Sequence, residues 1–271
     1  MKNTLEDTIH LYDSLVALVI IIILELTAKK IWATNYGQHL VQQLTPLLAN
    51  YIGKVKNIPP QEVGELSLSL FYTSIIRLIQ GGIAFFYLIY TRRYRIKSIG
   101  LHIENWANSV LLIFKTSAVL MSIGIIGEAG YYLLTKRYLH QTLFNPDRIH
   151  LLRNYRFFLI YILAGGLIGP LIEEFVFRGI LYNSLRSKLG VISSIIFSGV
   201  IFGFIHIIPL IKDLTFINIL TYLHSVLMYI PIIPLIGGLA LAYLYEQTHS
   251  IGVPFIIHAL ANVALVIVGI F

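Results

Sequence analysis

Seven apolar stretches, at residues 14–31, 66–90, 108–135, 155–187, 191–211, 223–247 and 251–271, take up most of this 271-residue chain. A helix of about 20 apolar residues crosses a bilayer, and in hydrocarbon the backbone must satisfy its own hydrogen bonds. Each stretch therefore reads as a helix, and the chain as an all-α polytopic membrane protein of about seven transmembrane helices. Only 12% of the residues are charged, about half the ~25% of soluble domains. No large soluble domain is left to house chemistry. With no cysteine in the chain, disulfides, thiolate metal sites and cysteine nucleophiles are excluded, so any nucleophile is a hydroxyl, a carboxylate or water. The net charge of +7 comes from Lys and Arg between the apolar runs, where anionic headgroups account for it. The bilayer is the expected partner, and nucleic acid is not.

The first run follows Lys2 but also Glu6, Asp7 and Asp13, and no small-residue cleavage site comes after it. It reads as a retained helix, not a signal peptide. Residues 32–65 form the long connection, rich in Tyr, Gln and Asn and ending near the Pro59-Pro60 break; this segment is expected to lie on the membrane surface. The expected division is residues 1–65 as first helix and surface connection, 66–154 as two accessory helices with basic loops, and 155–271 as the core that carries the chemistry. Loop cations divide almost evenly between the two sides. The dense cluster Arg92-Arg93-Tyr94-Arg95-Ile96-Lys97 sits in a short loop and points to an intracellular N-terminus.

Ionisable side chains inside a bilayer cost several kcal/mol each, so each needs a reason to be there. The fourth run reads Gly169-Pro170-Leu171-Ile172-Glu173-Glu174-Phe175-Val176-Phe177-Arg178. On a helix Glu174 and Arg178 share a face and can pair, whereas Glu173 is rotated about 100° away and is expected to lack that partner. A structural ion cluster of all three is the plainer alternative. Pro170 cannot donate to the carbonyl of Gly166, which opens the helix just ahead of the carboxylates. The fifth run carries Phe202 and His206 four residues apart, and the seventh carries His258 and Asn262 at the same spacing. Either histidine alone is as well explained as an interhelical hydrogen-bond partner. Two Glu, two His and one Asn on three neighbouring helices form a polar set that lipid cannot satisfy.

Glu173-Glu174-x-x-x-Arg178, Phe202-x-x-x-His206 and His258-x-x-x-Asn262, in that order and each in a span, resemble the three motifs of the CPBP family, the CAAX proteases and bacteriocin-processing (Abi) membrane endopeptidases related to the eukaryotic prenyl-protein protease. The resemblance covers residue 155 to the C-terminus, with every motif position occupied. It implies a multi-pass protein of a prokaryotic plasma membrane, whose last four helices enclose a polar catalytic cavity and whose partner is a peptide or protein substrate at or in the membrane. It also implies attack of an activated water on a peptide carbonyl. In this reading Glu173 is the general base with His206 holding the water, and His258 and Asn262 stabilise the oxyanion. Glu174 serves in the site or, with Arg178, fixes its geometry, and Phe202 walls the imidazole. Glu173, His206 and His258 are also acceptable zinc ligands. The metal-free version is preferred, because Asn262 is a good oxyanion donor and a poor zinc ligand.

Other intramembrane chemistries lack their signatures. There is no His-Glu-x-x-His, Ser198-Gly199 lacks the preceding Gly-x of a serine nucleophile motif, and Asp13, Asp147 and Asp213 fall at run edges or in loops. Asn145-Pro146-Asp147 reads as a turn. Glu25 with Lys29, and Lys115 on its own, read as structural. Arg77 needs an acceptor, for which Glu128 is the candidate, and His224 near Pro231 could line a cavity entrance. Two rival functions stay open: a non-catalytic immunity or scaffold protein of the same fold, and a proton-coupled transporter.

Overall fold

The computed structural model describes residues 9–102, 106–136, 150–211 and 232–270. Among these the regular structure is helical: α1 (Leu11–Trp32), α2 (Asn35–Ile52), α3 (Pro60–Phe86, continued by a π turn Tyr87–Thr91), a 3-10 turn (Ile96–Ile99), α4 (Trp106–Thr135), α5 (Tyr155–Leu189), α6 (Val191–Ile211), α7 (Ile232–Thr248) and α8 (Gly252–Ile270). Every apolar run holds a helix. Leu11–Trp32, Pro60–Thr91, Ala107–Gly127 and Tyr155–Leu189 are long and apolar enough to cross a membrane, and Val191–His206 and Gly252–Ala264 are shorter apolar helices. This is an all-α polytopic membrane protein. The turn at Asn145-Pro146-Asp147, Asp213, His224 and Pro231 lie outside the described residues, as does the Glu128 side chain.

The chain forms two compact units: unit 1 from Met1–Ala17, Tyr87–Ser117 and Glu174–His258, and unit 2 from Leu18–Phe86, Ala118–Glu173 and Ala259–Phe271.

In unit 2 the connection after the first run is itself largely helical. Thr34 caps α2 by accepting from the Gly37 amide at 3.2 Å, as N-cap threonines do. Thr45, Ala49 and Ile52 repeat at helical spacing and are buried. The closest approach to α3 is at Gly64, where a Cβ would stand 2.2 Å from the Thr45 carbonyl oxygen, so no other residue fits. Ile52, Ile58, Val63, Leu151, Leu152, Phe157 and Ile160 form the apolar core beside it. Pro59 and Pro60 fall inside this unit, Pro60 opening α3. The Gln80 side chain donates to Glu25 and to the Ile21 carbonyl, both at 3.1 Å, and Glu25 pairs with Lys29 at 2.9 Å.

Unit 1 is tied together by polar side chains. Asp13, fully buried, accepts from the Tyr94 and Tyr87 hydroxyls at 2.6 and 3.2 Å and pairs with Arg92 at 2.7 Å. Burial first, and then the bond to Asp13, push the Tyr94 phenol up to about 12. Asn183 donates to the Ser98 carbonyl and to the Tyr245 hydroxyl at 2.9 and 2.6 Å, holding the 3-10 turn against α5 and α7. Gly100, at φ +76°, closes that turn where a Cβ would be 2.7 Å from the Tyr245 ring. Helices α6 and α7 meet through small residues: a Cβ on Gly238 would stand 2.8 Å from the Gly199 carbonyl oxygen, the close backbone approach that packs helices in lipid.

Candidate active site

Helix α5 starts at Asn154, whose side chain accepts from the Arg156 and Phe157 amides at 3.1 and 3.3 Å. It then changes register twice. Ile162–Ile168 and Phe175–Tyr182 are π-helical and flank an α-helical turn, Gly169–Glu174, that carries both glutamates. Single π turns within α-helices are rare and cluster at functional sites. The adjacent glutamates belong to different units, Glu173 to unit 2 and Glu174 to unit 1.

In unit 2 the π register has a specific consequence. The Gly169 amide bonds to the Ala164 carbonyl five residues back, so the next bond in that register would run from residue 170 to the Gly165 carbonyl. Residue 170 is proline and has no N–H. The Asn262 side chain fills the gap, its amide donating to the Gly165 oxygen at 3.0 Å. On the same turn Arg77 reaches the backbone at Gly169, where a Cβ would be 2.6 Å from its Nη1, and this nitrogen lies 2.7 Å from Glu173 Oε1.

In unit 1 the other glutamate is fully buried. Glu174 Oε1 accepts from Arg178 Nη1 at 2.9 Å and from His258 Nδ1 at 2.8 Å. Its Oε2 is buried with no hydrogen-bond partner among the described residues. Arg178, also fully buried, spends Nη2 on the Gly238 carbonyl at 3.0 Å and lies 4.7 Å from the Phe202 ring centroid, within cation–π range. Phe202 packs against His206 with centroids 4.6 Å apart and against His258 edge-on at 5.6 Å. His206 turns Nδ1 to the Phe202 carbonyl at 2.8 Å. A carbonyl or carboxylate only accepts, so in both rings Nδ1 carries the hydrogen and a neutral imidazole has its lone pair on Nε2. The carboxylate behind His258 orients the ring and fixes its tautomer.

Glu174, Arg178, Phe202, His206 and His258 thus meet in unit 1, while Glu173 and Asn262 belong to unit 2 with Arg77. The expectation that Glu173 stands without a partner is corrected: it is paired with Arg77, which was assigned instead to Glu128. The signal for Arg77 was present, since a guanidinium in a span needs an acceptor and the bare backbone at Gly169 admits one. The acceptor's identity depends on tertiary packing, which helical spacing does not report. Among the described residues no three His, Asp or Glu side chains are grouped so as to hold a metal ion.

Residues 155–264 match the Rce1-like family, described as type II CAAX prenyl endopeptidase Rce1-like. A Bacillus subtilis (strain 168) protein named "Putative membrane peptidase YdiL" is 29% identical over 108 residues, which are 40% of this chain and 36% of that protein. The match thus spans about a third of the relative's own length. No solved structure matches the chain. The matched span begins at the first residue of α5 and takes in Glu173, Glu174, Arg178, Phe202, His206, His258 and Asn262, so over its C-terminal part the chain is similar to the type II CAAX prenyl endopeptidase Rce1-like family.

Proposed function

We propose that the protein is an intramembrane endopeptidase that hydrolyses a peptide bond of a membrane-associated substrate, in the plasma membrane of a prokaryote. The observation that carries this reading is the buried Arg178–Glu174–His258 chain, a carboxylate that orients an imidazole inside apolar sequence.

In the reaction that the motif resemblance implies, Glu173 takes a proton from water while the Nε2 lone pair of His206 accepts the water's other hydrogen. The water oxygen attacks the peptide carbonyl carbon, and the carbonyl π pair moves onto oxygen. His258, carrying a second proton that Glu174 stabilises, donates Nε2–H to this oxyanion, and Asn262 donates the amide hydrogen that Gly165 does not use. Collapse breaks the C–N bond, and Glu173 passes its proton to the leaving amine. Water and peptide give acid and amine.

The test is comparative membrane peptidomics of wild-type cells and cells carrying Glu173→Gln, followed by cleavage of recovered candidates by purified protein in liposomes. Prenylated C-terminal peptides and bacteriocin-like peptides are the two substrate classes to assay. The expected result is accumulation of uncleaved peptides in the variant and loss of cleavage in vitro. A cellular phenotype fully retained by Glu173→Ala would instead identify an immunity or scaffold protein of this fold.

A further inference from the structure

Lys115 is the only charged residue in the Ala107–Gly127 span. It lies eight residues into that span, roughly 12 Å along a helix rising ~1.5 Å per residue. Within unit 1 it opens onto a cavity of about 370 Å³ lined also by Asn108, Ser109, Leu111, Leu112 and residues 247–250 of the turn between α7 and α8. That lining holds a second nitrogen base, His249, in the left-handed conformation at φ 48°, and the side-chain amide of Gln247. Among the described residues that line it there is no carboxylate. The acid nearest in sequence on the α7 side, Glu246, is committed elsewhere: it accepts from Tyr182 at 2.8 Å and from Arg186 at 3.1 Å. An ammonium within an apolar span is costly without an anion beside it, and the described walls of the cavity hold none.

The face of α4 next to the cavity points to the source of the anion. Val110, Leu111 and Phe114 are 43%, 53% and 70% exposed, and of the Ala107–Gly127 span only Ser109, at 6%, is buried within the protein. Such a face needs hydrocarbon against it. A ligand that puts an acyl chain along Leu111 and Phe114 and a phosphate beside Lys115 and His249 satisfies both requirements.

We infer that this cavity is a binding site for the headgroup phosphate of an anionic phospholipid, held by Lys115 and His249 with its acyl chain along α4. Basic pockets between membrane helices bind anionic headgroups in this way. The site uses no residue of the proposed catalytic machinery, so it stands or falls independently of peptidase activity.

The full-length protein in nanodiscs of phosphatidylcholine doped with phosphatidylglycerol provides the test, with retained lipid read by native mass spectrometry. Wild type is expected to enrich phosphatidylglycerol over phosphatidylcholine. Lys115→Gln is expected to lose about fivefold of that preference, the effect of one cation at the membrane surface, while Lys115→Arg keeps it. Leu111→Glu, at an exposed position four residues before Lys115, supplies a competing carboxylate in the favourable i, i+4 orientation and is expected to abolish the preference without a buried change. Equal enrichment in wild type and Leu111→Glu overturns the proposal. So does binding of soluble glycerol phosphate that displaces no lipid, which would identify a water-borne phosphate as the ligand.

Discussion

Arg77 Nη1 lies 2.7 Å from Glu173 Oε1, pairing a cation of α3 with the glutamate that helical spacing turns away from Arg178. The pair is partly exposed, with Arg77 at 36% and Glu173 at 19%, so its contribution to stability is small, on the order of 0–1 kcal/mol. Its proposed role is in catalysis, aiming the carboxylate. Arg77→Ala is expected to leave the melting temperature in detergent almost unchanged while kcat/KM falls by about 10²-fold, at the low end of what a positioned base contributes. Arg77→Lys is expected to recover part of the loss. Wild-type turnover in Arg77→Ala would remove the pair from the mechanism.

Glu174 and Arg178 present the opposite case. Both are fully buried, and taking one partner from a buried pair costs about 3–5 kcal/mol because the remaining charge loses its counter-ion, Glu174 keeping only the hydrogen bond from His258. Arg178→Ala is therefore expected to yield little folded protein on extraction, as read by size-exclusion yield and thermal melting. Replacing both charges is far less costly than removing one. Glu174→Leu combined with Arg178→Met is expected to restore most of the melting temperature but no cleavage, since His258 then lacks its orienting carboxylate. A double variant no more stable than Arg178→Ala would contradict this account.

Asp13 anchors unit 1 through Tyr94, whose hydroxyl donates to it at 2.6 Å. A hydrogen bond to a charged group contributes about 1.5–3 kcal/mol, so Tyr94→Phe is expected to lower the melting temperature measurably. The pH dependence follows from the phenol, raised from the ordinary 10.0 to about 12. A folded value above the unfolded one means the contribution is complete below pH ~10 and is lost as pH climbs toward 12. Melting temperatures of wild type and Tyr94→Phe are expected to converge over that window. A gap that stays constant up to pH 12 would show that the hydroxyl proton is not what holds Asp13.

Much of this architecture is legible in sequence because hydropathy acts residue by residue: the seven apolar runs each mark a helix, and the i, i+4 spacing of Glu174 and Arg178 already names their pairing. Helix α2 is hidden in the sequence because Pro46 falls inside it and Gln38, Gln42 and Gln43 interrupt its leucines, and an interior proline ordinarily ends a helix. The Arg77–Glu173 and His258–Glu174 contacts join residues 96 and 84 positions apart, and no local pattern reports which partner tertiary packing selects. The double change of register along α5 was also hidden. A proline signals a missing donor, but whether the orphaned carbonyl is four or five residues back depends on the helix type adopted.

That last ambiguity leads to a test of Asn262, which carries two roles in the account above. Its amide donates to the Gly165 carbonyl at 3.0 Å, replacing the bond that Pro170 cannot make, and its other hydrogen is proposed for the oxyanion. Asn262→Ala leaves the Gly165 oxygen unsatisfied, at a cost of about 1–3 kcal/mol, and also removes an oxyanion donor, for which losses of about 10²–10³ in kcat are typical. Pro170→Ala separates the two effects, because alanine brings the missing N–H within the chain's own π register. Stability of the Asn262→Ala, Pro170→Ala double variant is expected to return to within about 0.5 kcal/mol of Pro170→Ala alone, so that the two changes are strongly non-additive. Activity is expected to stay low in the double variant, since no backbone amide replaces the donor to the oxyanion. If Pro170→Ala restores turnover along with stability, Asn262 only holds the helix and the oxyanion hole consists of His258 without it. If neither is restored, the Gly165 carbonyl is not the group that Asn262 exists to satisfy.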